Sequence, residues 1–331
     1  MPFRDVVGHV RLIDLLSRSV AGGTLPPSLL FAGPAGVGKH LTAVAVAQAF
    51  NCLESSNGDA CGTCPACSRI ARGVHPDVLF VTPNDNGNIR MEPIRDVIDA
   101  AQYRPFEGRR RVVIIDDADA LIVPAQNSLL KTLEEPTPSS VFVLVSSRPD
   151  MLLPTVLSRC PQLRFRPLSA SDIAGALMAR GHNETEARAV AATADGSLGQ
   201  ALQASAGELV ESRDIAHRVL AQAAAQSDPA RRVEGAKELL VKVSGGDSER
   251  DQLSTHLRSM AVLLRDAEVL ATGADEKALV NVDVRPALEK LATAYRGERG
   301  TRAFAAVDRA LAALQRNAGV KLVADWLVLQ L

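Results

Sequence analysis

One segment near the N-terminus combines the residue types that bind phosphate. Gly33, Gly36, Gly38 and Lys39 lie in the run Gly-Pro-Ala-Gly-Val-Gly-Lys-His, between an apolar run and a helix-forming run. Strand, glycine-rich turn and helix is the order that a phosphate-binding loop requires. The glycines let backbone N–H groups turn toward phosphate oxygens, and the helix N-terminus adds positive charge to that of the lysine. The segment therefore predicts a binding loop for nucleotide phosphates.

One position departs from the phosphate-loop pattern. The residue after the lysine is normally Ser or Thr, whose hydroxyl holds Mg²⁺, and here it is His40. Imidazole is a poor ligand for a hard cation that prefers oxygen. We expect an intact phosphate cradle and a damaged magnesium seat, which leaves binding of ATP with Mg²⁺ open.

Polar residues end two further apolar runs. Asp116 and Asp117 follow the run Val-Val-Ile-Ile, and in nucleotide hydrolases the terminal Asp of such a strand orients Mg²⁺ or its water. Asp116 fits that role, whereas Asp117 stands where a Glu general base would stand and is one methylene shorter, so the pair is a degenerate Walker B motif. A strand-end turn is the alternative. The run 141–147 ends in Ser146 and Ser147, whose hydroxyls could contact a γ-phosphate.

Four of the five cysteines are close together in sequence. Cys52, Cys61, Cys64 and Cys67 have the spacing C-x8-C-x2-C-x2-C, which can surround one tetrahedral Zn²⁺. Four thiolates leave no open coordination position, so the predicted zinc site is structural, and a zinc-dependent enzyme is disfavoured. A reduced thiol cluster or one disulfide is the alternative.

The elements around these residues predict three domains. Strand-like and helix-like segments alternate over residues 1–166, which predicts a parallel α/β sheet with a cysteine insertion at 52–67. The strand patterns stop after Pro167. Residues 167–207 predict a small helical lid, and residues 208–331 predict an all-helical domain.

Composition narrows the possible functions. The 331 residues carry a net charge of −1 and only 3% aromatic side chains, which gives no sign of a nucleic-acid binder or a base-stacking platform. The sequence has no apolar run long enough for a membrane span and no signal-peptide pattern at its N-terminus. We therefore expect a cytoplasmic protein without membrane contact.

Five segments resemble the clamp-loader branch of the AAA+ ATPases, as found in bacterial DNA polymerase III. They are residues 33–39, 52–67, 115–119, 127–136 and 157–160. The run Leu-Leu-Lys-x-Leu-Glu-Glu-Pro and the triplet Ser-Arg-Cys are highly specific for that branch. The resemblance covers residues 5–206, and over 208–331 it is architectural only.

The resemblance implies a function and partners. Such a chain is expected to be an AAA+ α/β core with a lid and a helical collar, in a ring that opens a sliding clamp and loads it on primed DNA. Its expected partners are other loader subunits (gamma/tau and delta), the clamp, and DNA contacted through the assembled complex. Arg159 resembles the arginine finger that reaches a neighbour's ATP site, and Ser146 or Ser147 resembles the sensor at the end of the fourth strand.

Two departures from the family pattern distinguish between its subunits. The motor subunits carry a lid-helix arginine that contacts nucleotide, where this chain has Gly199 and Gln200. His40 is the second departure. Both favour a subunit that lends an arginine in trans and hydrolyses little or no ATP. An ATP-hydrolysing gamma/tau-like motor and a structural scaffold that binds no nucleotide are the alternatives, so it stays open whether the chain is an enzyme by itself.

Overall fold

The computed structural model divides the chain into two compact units. It describes residues 1–84, 86–203, 206–226, 228–241, 248–274, 279, 281, 284–316 and 318–331. Unit 1 contains Met1–Asp172 and Gly196–Gly199, and unit 2 contains Ile173–Asp195 and Gln200–Leu331. The finer division into three domains stays a prediction.

A five-stranded parallel sheet forms the centre of unit 1. Its strands are β1 (Ser28–Ala32), β2 (Val78–Val81), β3 (Arg111–Ile115), β4 (Ser140–Ser146) and β5 (Gln162–Arg164). They lie in the order β2-β3-β4-β1-β5, with Leu29 beside Val143 and Val113 beside Phe142. Every residue of β1, β3 and β4 is buried, as expected for central parallel strands covered on both faces. The predicted parallel sheet is confirmed.

Helices cover both faces of this sheet. They are α1 (Val10–Ala21), α2 (Lys39–Asn51), α3 (Pro65–Ala71), α4 (Met91–Gln102), α5 (Val123–Glu134) and α6 (Pro154–Leu157), and α7 (Ala170–Met178) begins at the end of the unit. Successive strand residues point to opposite faces. Phe31 therefore packs in one core with Ala45, while Leu30 packs in a second core with Leu129.

The described part of unit 2 is helical, which confirms the predicted helical C-terminal region. Its helices are α8 (Glu184–Thr193), α9 (Leu198–Gln203, which begins in unit 1), α10 (Ala206–Ala225), α11 (Pro229–Ala236), α12 (Glu249–Thr272), α13 (Arg285–Ala294), α14 (Glu298–Gln315) and α15 (Val320–Gln330). Leu257, Met260 and Leu263 of α12 lie in its core. No helix among the described residues is both long and apolar enough to span a lipid bilayer.

A buried ion pair fixes the segment between α4 and β3. The Asp77 carboxylate accepts hydrogen bonds from the backbone N–H groups of Phe106, Glu107 and Gly108 at 2.7 to 2.9 Å, and from the Arg111 guanidinium at 2.9 Å. Burial by itself raises the pKa of Asp77, but these donors lower it to about 2. The pair thus ties the residue before β2 to the first residue of β3.

We expect Asp77→Asn to lower the free energy of unfolding by about 3 kcal/mol, because it leaves the Arg111 charge buried and unpaired. Urea denaturation measures this, and Asp96→Asn on the exposed face of α4 is the control, with an expected change within about 0.5 kcal/mol. Since the pKa of Asp77 is depressed, its contribution is present above the ordinary pKa of 3.8 and is lost as the pH falls toward about 2. A loss below about 1 kcal/mol in Asp77→Asn would contradict this account.

Candidate nucleotide-phosphate site and cysteine cluster

The sheet order brings the predicted phosphate-site residues to one edge. The glycine loop follows β1, Asp116 and Asp117 follow β3, and Ser146 is the last residue of β4. Because β4 lies between β1 and β3 and all three are parallel, their carboxyl ends meet. Ligands of open α/β sheets bind at this edge.

The glycine loop has the backbone conformation that glycine permits. The φ angles of Gly33, Gly36 and Gly38 are 152°, 73° and 100°, in the region that side chains disfavour. The ammonium of the buried Lys39 turns back onto the loop, where its Nζ donates to the carbonyls of Gly33 at 2.7 Å and Pro34 at 2.5 Å. Burial lowers the pKa of Lys39, and the carboxylates after β3 act in the opposite direction.

Two other segments of unit 1 hold the loop. The Gly199 N–H donates to the Gly36 carbonyl at 2.9 Å, and a Cβ added to Gly36 would lie 2.1 Å from Ser197 Oγ. On another part of the loop, His9 Nε2 lies 3.1 Å from the Val37 carbonyl oxygen. The sequence reasoning missed these contacts, because they join residues that are far apart in the chain.

His40 and Asp116 form an ion pair where the magnesium seat was expected. His40 Nδ1 lies 2.8 Å from Asp116 Oδ2. The hydrogen bond raises the pKa of His40, although burial opposes this. Burial also acts to raise the pKa of Asp116, but the hydrogen bond from His40 brings it below its usual range. The carboxylate oxygen lies against an imidazole nitrogen, and an imidazole stands where a metal-binding hydroxyl is needed, so these residues do not fit Mg²⁺.

The second carboxylate of the degenerate Walker B motif has a different environment. Asp117 takes the left-handed conformation, with φ of 46°, and its N–H lies 3.2 Å from Asp116 Oδ1. Burial raises the pKa of Asp117, and the neighbouring charges of Asp116 and Asp119 add to that effect. Two carboxylates that are adjacent in sequence therefore differ in the direction of their pKa shifts.

Asp119 and Arg148 extend the site beyond the predicted residues. Asp119 accepts from Ser146 Oγ at 2.7 Å, from the Ser147 N–H at 3.1 Å and from Arg148 Nε at 3.0 Å, and its side chain is almost fully buried. The sequence feature that indicates Asp119 as a site residue is its place as the third carboxylate in the run Asp-Asp-Ala-Asp. The sensor role of Ser146 stays a prediction, since its hydroxyl donates to a carboxylate of its own unit.

Arg159 lies outside this group of side chains. It follows α6, its side chain is 31% exposed, and its Nε donates to Glu134 Oε1 at 2.7 Å. Among the described residues its hydrogen bonds go to Glu134, Thr155 and Ser158, and none of these joins it to Lys39 or Asp116. The guanidinium is therefore partly exposed at the surface of unit 1.

The cysteine cluster fits a tetrahedral metal. The Sγ atoms of Cys52, Cys61, Cys64 and Cys67 all lie within 4.8 Å of one another, and those of Cys52 and Cys64 are 3.9 Å apart. Four thiolates at zinc-ligand distance stand about 3.8 Å apart. Backbone N–H groups point at two sulfurs, and hydrogen bonding lowers the pKa of Cys61 to about 6, whereas burial raises that of Cys52. The donor set could therefore hold a structural zinc ion.

The cluster is anchored to the rest of unit 1. Gln48 of α2 donates to the Cys67 carbonyl at 2.8 Å. The Phe3 N–H donates to Asp59 in the cysteine insertion at 2.7 Å, and Arg4 donates to the Cys61 carbonyl at 2.7 Å. The insertion thus supports the N-terminal segment and α2, which begins at the phosphate loop.

This fold and site define a class of protein. The sheet order, the glycine loop between β1 and α2, and the carboxylates after β3 are those of an α/β domain with a phosphate-binding loop, followed by a helical region. Comparison with known proteins shows what the matched part of the chain is similar to. Residues 8–169 match the family described as "DNA polymerase III, delta subunit".

Two sequence relatives are DNA polymerase III subunits, and one solved structure shares the arrangement of elements loosely. The chain is 40% identical over 134 residues to the delta′ subunit of DNA polymerase III from Pseudomonas aeruginosa (40% of this chain, 41% of the relative). It is 34% identical over 206 residues to the tau subunit from Salmonella typhimurium (60% and 32%). A DNA polymerase III gamma subunit-related protein of Thermotoga maritima aligns structurally with TM-score 0.41 at 17% identity, covering 95% of this chain and 96% of that one.

The chain spans 41% and 32% of the length of the two sequence relatives. Over the matched residues, this chain is similar to DNA polymerase III subunits of the delta′ and tau type.

We expect the purified chain to hold about one zinc ion, because four thiolates complete one tetrahedral shell. Metal analysis measures the content, and a strong chelator should remove the ion and lower the melting temperature. Cys64→Ser should lose the ion, whereas Cys160→Ala, far from the cluster in sequence, should keep it. Zinc content near zero in a reduced, zinc-supplemented preparation would contradict this prediction.

Proposed function

We propose that this chain is a delta′-type subunit of a DNA polymerase III clamp loader. In this role it lends Arg159 to the ATP site of a neighbouring subunit and hydrolyses little or no ATP itself. Its partners are the gamma/tau and delta subunits and the sliding clamp, and primed DNA is contacted through the assembled complex by backbone phosphates. The chain then acts in the cytoplasm as a stationary member of the ring.

The pairing of His40 with Asp116 carries this proposal. A hydrolytic site needs a divalent ion that bridges the β- and γ-phosphates and neutralises developing charge. Here the Asp116 oxygen lies 2.8 Å from an imidazole nitrogen, and a histidine stands where a hydroxyl is needed. Burial raises the pKa of Asp117, and the Asp117 side chain is one methylene shorter than the Glu general base of a hydrolytic site. These features support weak or absent hydrolysis.

The position of Arg159 supports its role in trans. The side chain is partly exposed, at 31%, so another subunit can approach it. An arginine finger stabilises transition-state charge and contributes about 10³ to 10⁵ in rate. The cysteine cluster takes no part in this chemistry, and we assign it a structural zinc ion that holds the insertion.

A gamma/tau-like motor is the second candidate. Lys39 and the three positive-φ glycines are kept, and the chain is 34% identical to a tau subunit over 206 residues. Nucleotide could therefore bind at the loop even without Mg²⁺. A scaffold that binds no nucleotide is the third, and the kept lysine and glycines disfavour it.

We expect ATP to bind the loop with the same affinity, within about twofold, in Mg²⁺ and in EDTA. The reason is that His40 lies against Asp116, the carboxylate that would otherwise serve the metal. Isothermal titration of the isolated chain measures this. His40→Ser should gain a dependence on Mg²⁺, and the distant His182→Ser should not. Binding at least tenfold tighter with Mg²⁺ in the wild type would favour the motor, and no binding in either buffer would favour the scaffold.

We expect Arg159→Ala to depress the ATPase of the reconstituted loader complex, since the site it serves loses about 10³-fold or more in rate. Arg166→Ala, an exposed arginine nearby in sequence, should leave the rate unchanged. The isolated chain should show no turnover. Turnover by the isolated chain that Lys39→Ala abolishes would refute the stationary role, and an unchanged rate in Arg159→Ala would refute the trans role.

A further inference from the structure

The guanidinium of Arg159 already has acceptors in its own unit. Its Nε donates to Glu134 Oε1 at 2.7 Å, and one terminal nitrogen donates to the same oxygen. The other terminal nitrogen donates to the Thr155 carbonyl at 2.7 Å and lies 3.3 Å from Ser158 Oγ. All three guanidinium nitrogens are therefore engaged.

Glu134 binds the side of the Arg159 guanidinium that arginines use to recognise oxyanions. Nε and one terminal nitrogen form one of the two-donor forks by which arginine recognises carboxylate and phosphate. A carboxylate on that fork also offsets the charge with which the arginine would stabilise a phosphate. An incoming oxyanion must therefore compete with Glu134 for the same N–H groups.

Glu134 is placed so that it gains from this contact. It is the last residue of α5, where the partial negative charge of the helix C-terminus disfavours a carboxylate. Arg159 supplies the compensating cation. Both side chains are partly exposed, at 31% for Arg159 and 48% for Glu134, and exposed pairs of this kind are weak and exchange partners readily.

We propose that Glu134 is a resident competitor for the guanidinium of Arg159. It holds the arginine against its own unit, and a nucleotide phosphate presented by a neighbouring subunit must replace the carboxylate before Arg159 can act. The biological role of this competition rests on the proposed function, in which Arg159 acts in trans. The competition itself is a property of this chain and any oxyanion.

The first experiment tests the competition in the isolated chain. The probe is the Arg159 Nε–H signal in ¹⁵N NMR during titration with inorganic tripolyphosphate, with Arg159→Ala to assign the signal. Glu134→Gln should move the free-state signal and tighten tripolyphosphate binding at Arg159 by up to about fivefold, the range expected for an exposed ion pair. Glu135→Gln changes an exposed neighbour by the same chemistry and should do neither. An unchanged signal and affinity in Glu134→Gln would overturn the proposal.

The second experiment uses the reconstituted loader complex. Glu134→Gln should raise ATPase at subsaturating ATP by up to about fivefold, and this gain should vanish in the double variant with Arg159→Ala. A rate that falls in Glu134→Gln would overturn competition and make Glu134 a positioning residue. If Arg159→Ala leaves the rate unchanged, the trans role fails, while the titration of the isolated chain still decides the competition.

Discussion

Charge compensation within the chain is the constraint on which the phosphate-site edge depends. Half-buried cations need oxygen partners, because desolvation without one is costly. Lys39 has such partners in two carbonyls of its own loop, and Arg148 has one in Asp119; the His40 imidazole lies against Asp116 in the same way. These contacts connect the ends of β1, β3 and β4 through side chains, so the edge is one electrostatic unit rather than a row of separate strand ends.

Exposure decides which of these pairs can change partners. In the pair of Arg148 with Asp119, the carboxylate side chain is only 4% exposed. In the pair of Arg159 with Glu134, the two side chains are 31% and 48% exposed. Breaking a buried pair leaves an uncompensated charge, whereas breaking an exposed pair costs little. The chain thus separates a fixed set of charges at the sheet edge from a loosely held arginine at the surface.

The elements were predictable from sequence, and the pairings were not. Apolar runs such as Val112 to Ile115 and the glycine loop carry their signal locally, so the sheet, its helices and the cysteine cluster followed from pattern and spacing. Glu134 and Arg159 are 25 residues apart, and nothing in either segment indicates that they meet. The three domain boundaries and the role of Asp117 rest on sequence pattern, the sensor role of Ser146 and the finger role of Arg159 rest on family resemblance, and all of them stay predictions.

The contact between Gly36 and Gly199 limits which side chains the phosphate loop and the start of α9 can accept. A Cβ on Gly199 would lie 3.0 Å from Gly36 Cα, and one on Gly36 would lie 2.1 Å from Ser197 Oγ. A side chain at position 199 therefore requires Gly36 and its neighbours to give by a few tenths of an ångström. The start of α9 and the phosphate loop are thus sterically coupled, so that a substitution in one segment acts on the other.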